Sequence, residues 1–228
     1  MELYIDTADV TVWDDLMPTG LFKGITTNPL LAARAGLTYP QIDWGSLARR
    51  AADLGAREFH GQVYGPAAGW GDWAESLYDA GRSAGITTVV KVPLTEEGIR
   101  AIPEIKSLGG PILATACYDA KQMFVACAAG ADYIAPYFGR MLEMGLPAYD
   151  NLRHMREIGR ISDASTKILV ASLRNTGQMV RLASEGQSCF TIAPEIARDL
   201  LSDPNTIAAA ADFEEAAYCD QGVSTELP

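Results

Sequence analysis

Short apolar runs rich in β-branched residues alternate with longer segments of helical period along the whole chain. Eight runs stand out, at Leu3–Thr7, Gly24–Asn28, Glu58–Val63, Thr87–Leu94, Pro111–Cys117, Tyr133–Tyr137, Lys167–Ser172 and Cys189–Pro194. Between them the spacing predicts helices over Asp9–Leu16, Ile42–Leu54, Asp72–Ala84, Thr95–Leu108, Asp119–Ala129, Tyr149–Ile161, Thr176–Ser184 and Glu195–Leu201, with a last one over Thr206–Tyr218. The punctuation agrees with the period. Thr95 stands where it caps a helix, Glu96 and Glu97 occupy the first turn, Ile99, Ile102, Ile105 and Leu108 form the apolar stripe, and Gly109-Gly110 ends it. Pro103 lacks an amide donor in the middle of that stripe, which predicts a kink or an early stop there.

Repeated strand–helix units give a parallel sheet, and eight of them are the minimum for a (β/α)8 TIM barrel. A doubly wound open sheet competes, but its glycine fingerprint is missing: the first turn reads Asp6-Thr7-Ala8-Asp9. No linker, low-complexity tract or charge run divides the sequence, so residues 1–228 read as a single α/β barrel domain with a C-terminal helix near 206–218. The length of 228 residues, 48% of them apolar, suits one such core.

Charge narrows the partners. Against 18 Lys and Arg stand 29 Asp and Glu, a formal charge of −11 that repels phosphate backbones and anionic lipid. Nucleic acid and membrane are therefore not expected as partners. The acidic start, MELYIDTADV, does not resemble a signal peptide, and no apolar run is long enough to span a bilayer, so a cytoplasmic protein is expected. Cys117, Cys127, Cys189 and Cys219 form no CxxC pair and read as free thiols, with no metal site implied. His60 and His154 and the four tryptophans read as structural, although the glycine-bearing stretch from Pro66 to Trp73 has the flexibility of a lid.

In a barrel the active site lies at the C-terminal ends of the strands, which directs attention to polar residues inside apolar runs. Only five cations are lysines, and only Lys91, in Val89-Val90-Lys91-Val92-Pro93, lies inside a predicted strand. Lys23, Lys106 and Lys121 fall on predicted loop or helix surface, and Lys167 at the start of a strand. A buried lysine loses proton affinity and becomes an amine nucleophile able to form a Schiff base; equally, it can sit in a structural ion pair with a carboxylate such as Asp6. Asp6 is a candidate acid/base or the cap of the next helix. Thr26 and Asn28 can bind hydroxyls or merely make a Thr-Asn-Pro turn. Gln62 and Thr115 interrupt apolar strands, and Tyr137 is a core aromatic or a phenolic acid/base. Arg140, with Ser172 and Arg174, makes a plausible anion clamp where barrels bind phosphate.

These segments together resemble the small-subunit transaldolases and fructose-6-phosphate aldolases, class I aldolases on a (β/α)8 barrel. The resemblance rests on MELYIDTADV, Gly24-Ile25-Thr26-Thr27-Asn28-Pro29, Val89 to Gly98, Ala135-Pro136-Tyr137 and Ala171-Ser172-Leu173-Arg174, and runs over nearly the whole sequence. It implies that Lys91 is the Schiff-base lysine, that Asp6 sits near the hydroxyls at the cleaved bond, and that Thr26 and Asn28 line the dihydroxyacetone end. Arg140, Ser172 and Arg174 fall at the phosphate end. Gln62 and Tyr137 are similar to the aldolase branch, where transaldolases carry glutamate and phenylalanine; a transaldolase is the alternative. Leu30, the weakly polar Met141-Leu142-Glu143-Met144-Gly145 and the Gly65–Trp73 segment depart from the pattern, and Ser172 to Asn175 is closer to the transaldolase side. A catalytically idle barrel would not need to keep Asp6, Gln62, Lys91, Thr115 and Tyr137, all costly to bury. The resemblance further implies small-molecule ketose, aldehyde or sugar-phosphate substrates, no cofactor, and a homo-oligomer, a pentamer or decamer, in which Phe213 and Tyr218 on the last helix are candidate anchors.

Overall fold

A computed structural model describes residues 1–162 and 164–218; Cys219 lies outside the described residues. Eight strands form one all-parallel sheet: β1 Glu2–Asp6, β2 Gly24–Thr26, β3 Glu58–Gln62, β4 Thr87–Pro93, β5 Ile112–Cys117, β6 Tyr133–Pro136, β7 Lys167–Ile168 and β8 Cys189–Ile192. Their order, β7-β6-β5-β4-β3-β2-β1-β8, is that of a barrel, and the Val170↔Phe190 bridge joins its two ends. The fold is the expected (β/α)8 barrel.

The helices among the described residues are α1 Val10–Leu16, α2 Pro29–Arg34, α3 Trp44–Asp53, α4 Trp70–Ala84, α5 Glu96–Ser107, α6 Lys121–Ala128, α7 Phe138–Glu143, α8 Ala148–Ile161, α9 Thr176–Ser184, α10 Pro194–Leu201 and α11 Pro204–Tyr218. Two short ones, α2 and α7, lie where strand ends and loops are predicted. The predicted early stop at Pro103 does not occur, since α5 runs through it. A mid-helix proline costs about 3 kcal/mol, and burying Ile102 and Ile105 on either side offsets this at about 1.5–3 kcal/mol each. Strand β7 is regular for only two residues of the predicted run, and continues through the single bridges of Val170 and of Ala171 to Tyr137.

The stretch from Pro66 to Trp73 is not a lid. Trp70 is buried and donates its indole N–H to the carbonyls of Tyr64 and Gly65, while Trp73 packs edge-on against Trp44 and Tyr64. Aromatic packing holds this segment against α3 instead of over the barrel mouth.

The N-terminal end of the barrel is closed by a polar cluster. Glu58, at the start of β3, accepts from Lys23 Nζ (2.6 Å), Tyr4 Oη (2.9 Å), Tyr133 Oη (3.0 Å) and His60 Nε2 (3.1 Å). Lys23 is therefore not a surface-loop lysine but part of this floor, with Glu2 as its second partner. Burial alone would raise the Glu58 carboxyl, but the hydrogen bond from His60 and the pairing with Lys23 hold it well below its ordinary range. His60 is wholly buried, and that burial pushes its imidazole down against the pull of Glu58. Conserving charge balance here is a matter of stability, as expected of a barrel's N-terminal face. Cys117 and Cys189 are also buried, and burial pushes both thiols up to about 12, so they are unreactive.

Candidate active site

The opposite, C-terminal end of the barrel opens into a cavity of about 330 Å3. Nine of the ten predicted site residues line it: Asp6, Thr26, Asn28, Lys91, Thr115, Tyr137, Arg140, Ser172 and Arg174. Gln62 is not in its wall. It lies in register with Lys91 on the neighbouring strand, and its backbone N–H and carbonyl are held by the Tyr39 hydroxyl at 2.9 and 2.7 Å.

Lys91 is 5% exposed, and its Nζ donates to the Thr27 carbonyl at 2.8 Å. Burial pushes its pKa down, against the attraction of the Asp6 carboxylate. No ion pair joins the two. Asp6 instead accepts from the Thr26 hydroxyl at 2.6 Å, and Thr26 in turn lies 2.5 Å from the hydroxyl of Thr191. Nor does Asp6 cap the helix that follows: that is Asp9, whose carboxylate accepts from the Thr11 amide at 2.9 Å. A buried amine without a counter-ion stays neutral more readily than a paired one, the condition a nucleophilic lysine requires.

The remaining groups ring this amine. Asn28 spends its carbonyl oxygen as the cap of α2, accepting from the Leu30 and Leu31 amides at 2.9 and 3.0 Å, so its amide N–H groups are what it has left to offer a ligand. The turn reading and the binding reading of Asn28 are thus compatible. Tyr137 Oη lies 3.2 Å from Thr115 Oγ1, and burial raises the phenol, countered in part by Thr115, so it remains a proton donor across the neutral range. Register slips between Ala114 and Cys117 at the end of β5, and there Ala116 adopts φ 59°. Ser172 adopts φ 62° at the end of the β7 segment. Left-handed backbone at non-glycine residues costs energy, and both instances flank the cavity.

Comparisons with known proteins bear on the family. The family profile described as Transaldolase/Fructose-6-phosphate aldolase matches residues 65–226. A probable transaldolase of Phenylobacterium zucineum is 36% identical over 211 residues, covering 90% of this chain and 91% of its own. A probable transaldolase of Rhodospirillum centenum is 32% identical over 217 residues, covering 93% and 89%. The chain belongs to the transaldolase/fructose-6-phosphate aldolase family.

Solved structures extend the fold beyond the family. A mandelate oxidase with benzoyl-formic acid superposes with a TM-score of 0.61 at 13% identity, over 86% of this chain and 65% of that one. A Pediococcus acidilactici lactate oxidase gives 0.59, at 13% identity, over 86% and 63%. The chain thus spans somewhat less than two thirds of those oxidases, and the likeness is one of barrel architecture alone.

Within this cavity, three polar wall residues escape sequence reasoning: Thr191, Arg34 and Glu195. Thr191 interrupts the apolar Cys189–Ile192 strand just as Thr115 interrupts β5, so the same alternation signals it. Arg34 ends the six-residue α2, and Glu195 lies in the first turn of α10; nothing local marks either as facing the cavity.

Proposed function

We propose that the protein is a class I aldolase of the fructose-6-phosphate aldolase type. The observation that carries this reading is Lys91, a buried amine at the floor of the cavity with no carboxylate paired to it. In this reading the neutral Nζ adds to a ketose carbonyl, and water leaves to give an iminium. The iminium draws in the electron pair of the adjacent carbon–carbon bond as the neighbouring hydroxyl gives up its proton to Asp6. An aldehyde departs, and the three-carbon enamine of dihydroxyacetone remains on Lys91. Protonation at carbon and hydrolysis then release it and restore the amine. Tyr137, with Thr115, holds the water and relays these protons, since a phenol donates and accepts where a phenyl ring cannot. Gln62 adds to this machinery from its register position beside Lys91, and Thr26 and Asn28 bind the dihydroxyacetone hydroxyls. Arg140, Ser172 and Arg174 face the far end of the substrate. The lysine itself is the electron sink, so the mechanism calls on no cofactor or metal.

Transaldolase activity, in which a second aldehyde captures the enamine, is the second reading, and the names of the curated relatives favour it. Tyr137 and Gln62 favour the first. The decisive experiment incubates the protein with fructose 6-phosphate or dihydroxyacetone, reduces with borohydride and locates the adduct by peptide mass. Labelling at Lys91 is expected; labelling elsewhere, or none with any ketose, overturns the mechanism. Release of glyceraldehyde 3-phosphate, followed with and without erythrose 4-phosphate, then separates the two activities, because cleavage wholly dependent on the acceptor means transfer.

The homo-oligomer implied by the sequence belongs to the same proposal. Helix α11 buries none of its residues, and Ile207, Phe213 and Tyr218 are all exposed, an apolar surface for the anchoring of a neighbouring subunit. A monomeric mass in solution would refute it.

A further inference from the structure

The cavity's outer end carries three guanidinium groups, from Arg34, Arg140 and Arg174, and they are not equivalent. Arg34 and Arg140 make no ion pair among the described residues. Arg140 has only a long contact to the Tyr118 hydroxyl, 3.4 Å, and lies over the Tyr137 ring.

Arg174 is occupied on both edges of its fork. Its Nε donates to Glu143 Oε1 at 2.6 Å, and its Nη1 donates to the carbonyls of Ser172 and Leu173 at 2.9 and 3.3 Å. A guanidinium grips a phosphate through two parallel N–H groups, either Nε with Nη2 or Nη1 with Nη2. Each pair has one member taken, so Arg174 offers Nη2 alone. The side chain is also fixed from beneath. At Gly139, on α7, an added Cβ would meet the Ser172 carbonyl oxygen at 2.0 Å and Arg174 Cγ and Cζ at 3.2 Å, so the arginine lies pressed across bare backbone. Glu143 sits one turn farther along the same short helix, which places its carboxylate where a bound phosphate would compete for Nε.

We propose that Glu143 is a specificity-determining residue that withholds Arg174 from anionic substrates and shifts the enzyme's preference from phosphorylated toward unphosphorylated aldehydes and ketoses. The proposal rests on the aldolase or transaldolase reading for its substrates, but not for its binding test. Removing the carboxylate opens the Nε–Nη2 edge and removes a like charge from beside the phosphate. At a few ångströms in a solvated site this is a tightening of about five- to tenfold.

The test titrates inorganic phosphate against the whole protein at low ionic strength by calorimetry, which requires no turnover. Glu143→Ala is expected to bind phosphate about five- to tenfold more tightly than the natural protein, and Glu143→Gln, which keeps an acceptor without its charge, to fall between them. Arg174→Met is expected to change phosphate affinity little in the natural background, yet to abolish the gain in the Glu143→Ala background, a coupling that two independent sites would not show. In turnover, the ratio of kcat/KM for glyceraldehyde 3-phosphate to that for glyceraldehyde is expected to rise by the same factor. Unchanged or weaker phosphate binding in Glu143→Ala overturns the proposal, weaker binding meaning that Glu143 positions Arg174 for phosphate. Failure of borohydride trapping at Lys91 would overturn the Schiff-base reading while leaving these binding results standing.

Discussion

Replacing Tyr137 by phenylalanine separates chemistry from packing, because the structure confines the change to one oxygen atom. The ring keeps its edge-on contact with Tyr118, with centroids 5.7 Å apart, and its place 5.1 Å beneath the Arg140 guanidinium. What disappears is the 3.2 Å hydrogen bond to Thr115, a neutral bond worth about 0.5–1 kcal/mol. For a chain of this size that is a fall in Tm of about 1–4 °C. A positioned acid/base, by contrast, contributes about 100-fold or more to rate. Unassisted release of glyceraldehyde 3-phosphate from fructose 6-phosphate is therefore expected to fall at least about 100-fold, at constant KM, in a protein that remains folded. Transfer to erythrose 4-phosphate should fall less, since the acceptor replaces the water that the phenol holds. Equal losses in both assays, or a larger loss in transfer, would refute the role given to the phenol. A Tm drop well above 4 °C would refute the claim that only one hydrogen bond is at stake.

Four other outcomes follow from the same structure. Lys91→Met should abolish borohydride trapping while holding or raising Tm, because burial already disfavours the ammonium; a loss above about 1 kcal/mol would mark Lys91 as a structural ion. Glu58→Gln, at the opposite end of the barrel, should cost about 2–4 kcal/mol in urea unfolding by leaving Lys23 and His60 short of their shared acceptor, with kcat unchanged. Stability should fall with acid in two stages: His60, held below its ordinary 6.5, contributes above that pH and its contribution is lost as pH drops through the folded-state value, and Glu58, held below 4.5, loses its contribution at lower pH still. His60→Phe should flatten the first stage of a Tm-against-pH curve and shrink the second, since the His60 hydrogen bond is part of what holds Glu58 down. Ser172→Gly should raise stability by about 1 kcal/mol through relief of its φ of 62° while weakening substrate binding; a lower Tm would show that the backbone there is not strained.

The barrel was legible because its signal is periodic. The strands from β2 to β6 are short, largely buried runs, and the glycine stops divide the helices at the expected places. Helices α2 and α7 were not, because six residues make fewer than two turns and leave no stripe to detect. Asn28-Pro29 does carry a cap followed by an N1 proline, but the same pair also makes an ordinary turn, so its local chemistry is degenerate. Arg34, Glu143 and Glu195 face the cavity mouth, or the arginine beside it, only because of how these short elements dock. By contrast the place of Asp6, Lys91, Thr115 and Tyr137 in the cavity wall follows directly, since barrel topology converts a position near the end of a strand into one facing the cavity. The floor cluster was invisible for a different reason: Glu58 meets Tyr4 and Tyr133 across separations of 54 and 75 residues, and nothing in a short window encodes that meeting.

The two ends of the barrel treat buried charge in opposite ways, and that contrast supports the proposed reading of Lys91. At the N-terminal end Lys23 lies 2.6 Å from Glu58 and 3.3 Å from Glu2, and Lys167 lies 2.8 Å from Glu2. On the outside, Lys106 pairs with Asp132 at 3.1 Å and Lys121 with Asp119 at 3.9 Å. Four of the five lysines thus have a carboxylate within reach, although three of those four are at least one-third exposed and need it least. Lys91, the most buried, has none within ion-pair distance among the described residues, and the Asp6 carboxylate, which faces the same cavity, is hydrogen-bonded to a threonine hydroxyl instead. A lysine kept only for structure would be paired at this depth, because an unpaired buried ammonium is expensive and a carboxylate is already present to relieve it. Withholding the partner favours the neutral amine, which is the form that the proposed nucleophile requires.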